Sequence, residues 1–100
     1  MMFDKFRELY QFQKKARVIQ KELRNTEIEA SALEGKIKVI FSGEQKVQKI
    51  EFAEEILQPE RKRELERGVE DAIREAVTKS QQIAAEKMKA ITGDLNIPGM

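Results

Sequence analysis

Side chains that could do covalent chemistry are scarce in this sequence of 100 residues. It contains no histidine and no cysteine, so the commonest general base, the commonest transition-metal ligand and the thiolate nucleophile are absent. The serines Ser31, Ser42 and Ser80 have no histidine partner and no nucleophile-elbow glycines, and we interpret them as strand, turn or helix-surface residues. The sequence therefore predicts no catalytic residue, no metal, no cofactor and no small-molecule substrate.

The charge of the N-terminal segment is more informative. Residues 1–25 hold seven basic and three acidic side chains, a net charge of +4, whereas the whole chain has a net charge of only +1. At about 100° per residue, six residues fall on one side of a helix, and we call them the basic stripe. They are Arg7, Tyr10, Lys14, Arg17, Lys21 and Arg24. Cations spaced along a rigid rod can neutralise successive phosphates, and a tyrosine can add a sugar or phosphate contact, so the stripe predicts binding to double-stranded DNA.

Other interpretations of the charge pattern remain open. The same stripe is also what the solvated face of an amphipathic helix looks like. The basic run at residues 61–63 is interleaved with glutamates, which indicates a self-paired surface, while Lys87 and Lys89 suit the negative end of a helix dipole. Mixed charge of this kind also fits a non-enzymatic adaptor whose helices grip another protein. An enzyme acting through carboxylates is the least favoured hypothesis.

Two long helices are predicted to position these residues. The first spans residues 2–25, and its apolar seam is formed by Leu9, Phe12, Ala16, Ile19 and Leu23, with Met2 and Phe6 extending it backward. The second spans residues 60–92, follows Pro59, has Gly68 as a weak interior break and ends at Gly93 as a C-cap.

A small antiparallel sheet of two to three strands is predicted between the helices, over residues 26–53. Residues 35–42 alternate apolar and polar side chains and form the clearest strand. Residues 26–32 form either an edge strand or an irregular connector. Gly43 is expected to supply a positive φ in the hairpin turn. Val47 is out of phase with Ile50 and Phe52, which either a β-bulge or a strongly twisted start of the strand would explain.

This order of elements predicts an α+β fold in a single domain spanning residues 1–100, with a flexible tail at residues 93–100. The helices would be about 35 and 50 Å long and must overhang a strand of about 23 Å. Apolar seam left in water is costly, so we expect a homodimer. The longest apolar run is three residues, which predicts no membrane span and a cytoplasmic location.

Three stretches of the chain carry a resemblance to a known family. They are Gly35-x-Ile37-x-Val39-x3-Gly43-x3-Val47-x2-Ile50-x-Phe52; Glu64-Leu65-Glu66-x2-Val69-x2-Ala72-x3-Ala76; and Glu86-Lys87-Met88-x3-Thr92-Gly93-x-Leu95-Asn96-Ile97-Pro98-Gly99. Their order and spacing resemble the YbaB/EbfC family of bacterial nucleoid-associated proteins. The resemblance implies a tweezer-like homodimer that binds DNA in the nucleoid with little or modest sequence preference, with effects on nucleoid organisation and gene expression.

The chain departs from the family pattern in two places. Asp94 follows Gly93 where the family commonly has a second glycine, which places a negative charge near the tail. The first helix is rich in lysine and arginine, where family members often have methionine and glutamine. The second departure makes the first helix of this chain the better phosphate-binding surface.

Overall fold

Two long helices flank a three-stranded sheet. The computed structural model describes residues 2–94, with the side chains of residues 4–90. The elements are α1 (Met2–Arg24), β1 (Glu27–Ala32), β2 (Ile37–Ser42), β3 (Val47–Phe52) and α2 (Lys62–Asp94), with 3₁₀ turns at Glu54–Ile56 and Pro59–Arg61. The strands are antiparallel in the order β1-β2-β3. The predicted α+β fold is therefore confirmed, with three strands rather than two.

The sheet resolves two points that the sequence left open. Residues Glu27–Ala32 pair with β2 along their whole length, so this segment is an edge strand and not an irregular connector. The register between β2 and β3 shifts between Ile40 and Phe41, which places Val47 opposite Phe41 while Ile50 lies opposite Val39. Because directly opposite residues point to the same face of a sheet, the bulge brings Val47 into line with Ile50, which is the first of the two predicted explanations.

The second helix begins and ends later than predicted. A 3₁₀ turn occupies Pro59–Arg61 before α2 starts at Lys62, and the helix then continues through Gly93 to Asp94. The predicted C-cap at Gly93 is therefore wrong. A glycine inside a helix costs only about 1 kcal/mol relative to alanine, which a helix of 33 residues can absorb. The predicted tail beyond residue 94 lies outside the described residues.

A ridge of small residues seats α2 on the sheet. Gly68, Ala72, Ala76 and Ser80 recur every fourth position and are all buried. A Cβ atom at Gly68 would lie 2.5 Å from Cδ1 of Ile37, so a larger residue there would have to displace the buried Ile37 side chain. The Ser80 hydroxyl donates a hydrogen bond to the Val77 carbonyl at 2.8 Å, which corrects its predicted place on the helix surface.

The helix α2 packs mainly against β1 and β2, and it leaves β3 largely uncovered. The core consists of Ile28, Ala30, Ile37, Val39, Phe41, Ile56, Ala72 and Ala76. On β3, by contrast, Val47, Ile50 and Phe52 are 54%, 42% and 40% exposed, although they share the core-facing side of the sheet. One apolar strand face is therefore open to solvent beside a closed core.

The junction between α1 and the sheet depends on Gly43. Its N–H group donates to the carbonyl oxygens of Leu23 at 2.8 Å and Thr26 at 3.0 Å. A Cβ atom there would lie 2.6 Å from the Leu23 carbonyl oxygen and 2.9 Å from its Cα. The prediction that Gly43 supplies a positive φ is wrong, because Gln45 has that conformation in this turn, with φ 66°. Glycine is required at residue 43 because the backbone of α1 passes so close.

The described residues form an elongated body of 68 × 25 × 15 Å. Within residues 2–94, neither helix combines the length and the apolar character that a membrane crossing requires.

We expect Gly43→Ala to lower the free energy of unfolding by about 1–3 kcal/mol, because the added methyl group meets backbone atoms that cannot move aside. Gly35→Asn is the matched control: residue 35 has φ +84°, which asparagine tolerates, and nothing lies within 4 Å of the position that a Cβ atom would take there. Urea denaturation monitored by circular dichroism measures both. Equal transition midpoints for the Gly43→Ala variant and the unsubstituted protein would contradict the proposed close approach.

Candidate nucleic-acid interface

The helix α1 presents the predicted basic stripe to solvent. All six of its residues are exposed, and Tyr10 is 67% exposed. Within the part of the chain that the structure describes, four of the stripe's cations make no ion pair. These are Arg7, Lys14, Arg17 and Lys21. Their charges are therefore not neutralised by the described residues and are available to a polyanion.

Arg24, the last residue of the stripe, has a partner that the sequence did not reveal. Its Nε donates to Oε1 of Glu44 at 3.0 Å across the junction between α1 and the β2–β3 turn. Twenty residues separate the two in the chain, so helical spacing alone could not predict the pair. Arg24 helps to fix the end of α1, and it is less available for phosphate contact than the other four cations.

The cations of α2 are arranged differently, because most are paired with acidic neighbours. Arg61, just before the helix, donates two hydrogen bonds to the Glu64 carboxylate, at 3.0 and 2.8 Å, and this contact lowers the pKa of Glu64. Further pairs on this helix are Lys62 with Glu66, Arg74 with Glu70, and Lys79 with Glu75. The predicted self-paired character of this surface is confirmed for these residues.

Arg63 and Arg67 are exceptions near the N-terminal end of α2. They form no ion pair among the described residues and line a cleft beside the β1–β2 turn. The same cleft is lined by Glu64 and Asp71, so its charge is mixed. In the described part of the chain, acidic side chains do not gather in groups of three or more that could hold a metal ion.

Contacts with α2 hold the C-terminal half of α1. Lys87 Nζ lies 2.9 Å from Glu22 Oε2, which links the two helices directly. The Thr26 hydroxyl donates to the Glu22 carbonyl at 2.6 Å and closes the end of α1. Lys87 therefore has a structural role, as predicted, but it acts through an ion pair with α1 and not through the helix dipole.

The apolar seam of α1 is covered only in part. Phe12, Ala16, Ile19 and Leu23 are partly buried, as predicted, but Leu9 is 59% exposed. Phe6, which was predicted to extend the seam, is 68% exposed, so the described residues do not bury it against the body. At about 100° per residue, Phe6 lies only about 40° from Tyr10 around the helix. Phe6 therefore lies at the edge of the basic stripe.

Comparison with known proteins identifies the family of this chain. A profile of the YbaB/EbfC DNA-binding family matches residues 1–95. A nucleoid-associated protein of Synechococcus elongatus is 39% identical over 97 residues, covering 97% of this chain and 85% of that protein. One from Pelotomaculum thermopropionicum is 35% identical over 82 residues, covering 82% and 78%. The chain belongs to the YbaB/EbfC DNA-binding family.

A solved structure shares the fold. The crystal structure of an uncharacterised protein from Helicobacter pylori has a TM-score of 0.67 and 15% sequence identity, over 89% of each chain. At this identity the similarity concerns the architecture of the chain alone.

We expect a double-mutant cycle of Glu22→Gln and Lys87→Gln to give a coupling energy of about 0.2–1 kcal/mol in the free energy of unfolding, as for other partly exposed ion pairs. Glu22→Gln combined with Lys79→Gln is the control, because Lys79 pairs with Glu75 instead. Urea denaturation at low salt measures both cycles. The bridge between the helices is contradicted if the first cycle is as additive as the control.

Proposed function

We propose that this protein is a non-enzymatic, nucleoid-associated DNA-binding protein that acts in the cytoplasm as a homodimer and contacts the backbone phosphates of duplex DNA through the basic stripe. The main observation behind the proposal is that the cations of α1 and those of α2 differ in how many form ion pairs. Four stripe cations on α1 have no partner among the described residues, whereas most cations of α2 are neutralised. Membership in a DNA-binding family supports DNA as the polyanion.

The geometry of α1 suits a backbone contact. Consecutive unpaired cations from Arg7 to Lys21 are three to seven residues apart, or about 4.5–10.5 Å along the helix axis. Phosphates of one DNA strand recur about every 3.4 Å along the duplex axis, so neighbouring cations can reach phosphates one to three steps apart. Contacts of this kind position a protein without reading bases, which accounts for little sequence preference.

A second copy of the chain is the proposed cover for β3. Within residues 2–94 this strand pairs with β2 on one side and with no strand on the other, and its core-facing side chains Val47, Ile50 and Phe52 are exposed. An open strand edge with an apolar face favours association, and a two-fold contact covers the same surface on both copies. The projecting helices of the two copies would then form a tweezer and present two basic stripes to one duplex.

The adaptor hypothesis and the DNA-binding proposal predict different effects of salt on binding. Exposed apolar side chains near the free end of α1, such as Leu9, favour a protein partner. Binding through apolar contacts survives high salt, whereas phosphate binding releases counterions and weakens steeply.

We expect Arg17→Gln combined with Lys21→Gln to weaken binding to all duplex sequences alike. Two charges per protomer are four per dimer, and at about 0.9 per phosphate contact the slope of log K against log salt should become shallower by about 3.6. Fluorescence anisotropy with random-sequence duplex DNA measures the slope.

Lys62→Gln combined with Arg74→Gln is the matched control for the stripe, because it removes the same charge from exposed but paired cations of α2. Its slope should stay close to that of the unsubstituted protein. If the two double variants weaken binding equally, net charge and not the stripe determines affinity.

We expect Ile50→Asp to convert the dimer to a monomer, because it places two carboxylates in an apolar interface. Val18→Asp is the control, since Val18 is 52% exposed but lies on α1. Sedimentation equilibrium gives the mass of both variants. A dimer that persists in the Ile50→Asp variant would contradict the interface at β3.

A further inference from the structure

Two aromatic rings project from the N-terminal half of α1. Phe6 is 68% exposed and Tyr10 is 67% exposed. They are four residues apart, so they lie on adjacent turns and about 40° apart around the helix. We call them the aromatic pair. Large aromatic side chains are usually packed, so two that stand together in water indicate a surface that binds something.

The surroundings of the aromatic pair are cationic. Arg7, Lys14 and Arg17 lie on the same side of α1 and form no ion pair within the described residues. The acidic residues of this region, Asp4 and Glu8, are about 120° and 160° from Tyr10 around the helix axis. The ligand that fits is therefore a polyanion that also offers flat apolar surfaces.

Unpaired nucleic-acid bases meet both conditions. Aromatic side chains bind them by stacking, which every base allows, while nearby cations hold the phosphates. In an intact duplex the faces of the bases are covered by their neighbours, so the rings would gain little there. We propose that Phe6 and Tyr10 form a stacking platform for unpaired bases, through which this protein also binds single-stranded DNA.

A second copy of the chain is a poorer occupant of this surface. A two-fold contact at the aromatic pair would bring the first helices of two copies together, and residues 1–25 of each copy have a net charge of +4. Like charges brought together in this way oppose association. The platform rests on the proposed function, because it uses the cations of the basic stripe, and it adds a second class of DNA ligand.

The sequence supplies its own reporter for stacking. Tyr10 is the only tyrosine and there is no tryptophan, so the tyrosine fluorescence of the protein comes from this one side chain. The full chain is titrated with a single-stranded oligothymidylate and, separately, with an oligonucleotide of equal length made of abasic sites. We expect quenching of Tyr10 only by the first, and an affinity at least about tenfold higher for it, since stacking contributes roughly 1–3 kcal/mol per base.

Variants separate the platform from the stripe. Phe6→Leu combined with Tyr10→Leu should lower the affinity for oligothymidylate to that of the abasic oligonucleotide. Phe6→Leu alone should lower the affinity for oligothymidylate several-fold and leave duplex binding within about twofold, because Phe6 is not part of the basic stripe and the stripe stays intact. Tyr10→Phe keeps the ring and should retain the affinity. Val18→Ala is the control for the loss of an exposed apolar side chain elsewhere on α1.

The outcomes distinguish this inference from the proposed function. Equal affinities for the two oligonucleotides without quenching overturn the platform, even if duplex binding stays intact and the proposed function stands. Quenching by oligothymidylate with no duplex binding supports the platform and overturns the proposed function. A change of mass in solution for the Phe6→Leu, Tyr10→Leu variant shows that a second copy covers the rings, which also overturns the platform.

Discussion

The close seating of α2 on the sheet is the contact on which the rest of this architecture depends. Gly68, Ala72, Ala76 and Ser80 form a narrow ridge without bulky side chains, so the helix approaches β2 closely but covers little width. The partly buried apolar residues on either side, such as Val69 and Ile73, complete this contact. Since the ridge follows β1 and β2, the third strand stays open on the face where a core would normally close.

The same seating determines how α1 is held. The described contacts of α1 with the body lie mostly in its C-terminal half, and they are the Gly43 junction, the Glu22–Lys87 bridge and the partly buried part of the seam, which begins at Phe12. The N-terminal half, with Phe6, Leu9 and Tyr10, is exposed. A helix supported at one end can project charge far from the body, which suits a surface that follows a long polyanion.

Much of the fold could be predicted from the sequence because its signals are local. Helical periodicity located α1 and α2, strand alternation located β2, and the phase error at Val47 indicated the bulge. The role of Gly43, the partner of Arg24 and the end of α2 could not be predicted in this way. The first two depend on residues that are distant in the chain. The third depends on whether the rest of the helix is stable enough to continue through a glycine.

The candidate site was also predictable only in part. Helix geometry places the stripe around α1, but only tertiary contacts decide that Arg24 is neutralised while Arg17 is not. Phe6 shows the limit of a seam defined by residue type, since its angle around the helix groups it with Tyr10.

The measurement that tests the central claim most directly is a titration of the unsubstituted protein with random-sequence duplex DNA between about 50 and about 200 mM salt, with the mass in solution determined alongside. Four unpaired stripe cations per protomer give eight per dimer, so we expect a dimer whose log K falls with log salt at a slope of about −7. An affinity that does not change with salt, or a protein that ignores DNA at the lowest salt, would contradict the phosphate contacts proposed for the stripe.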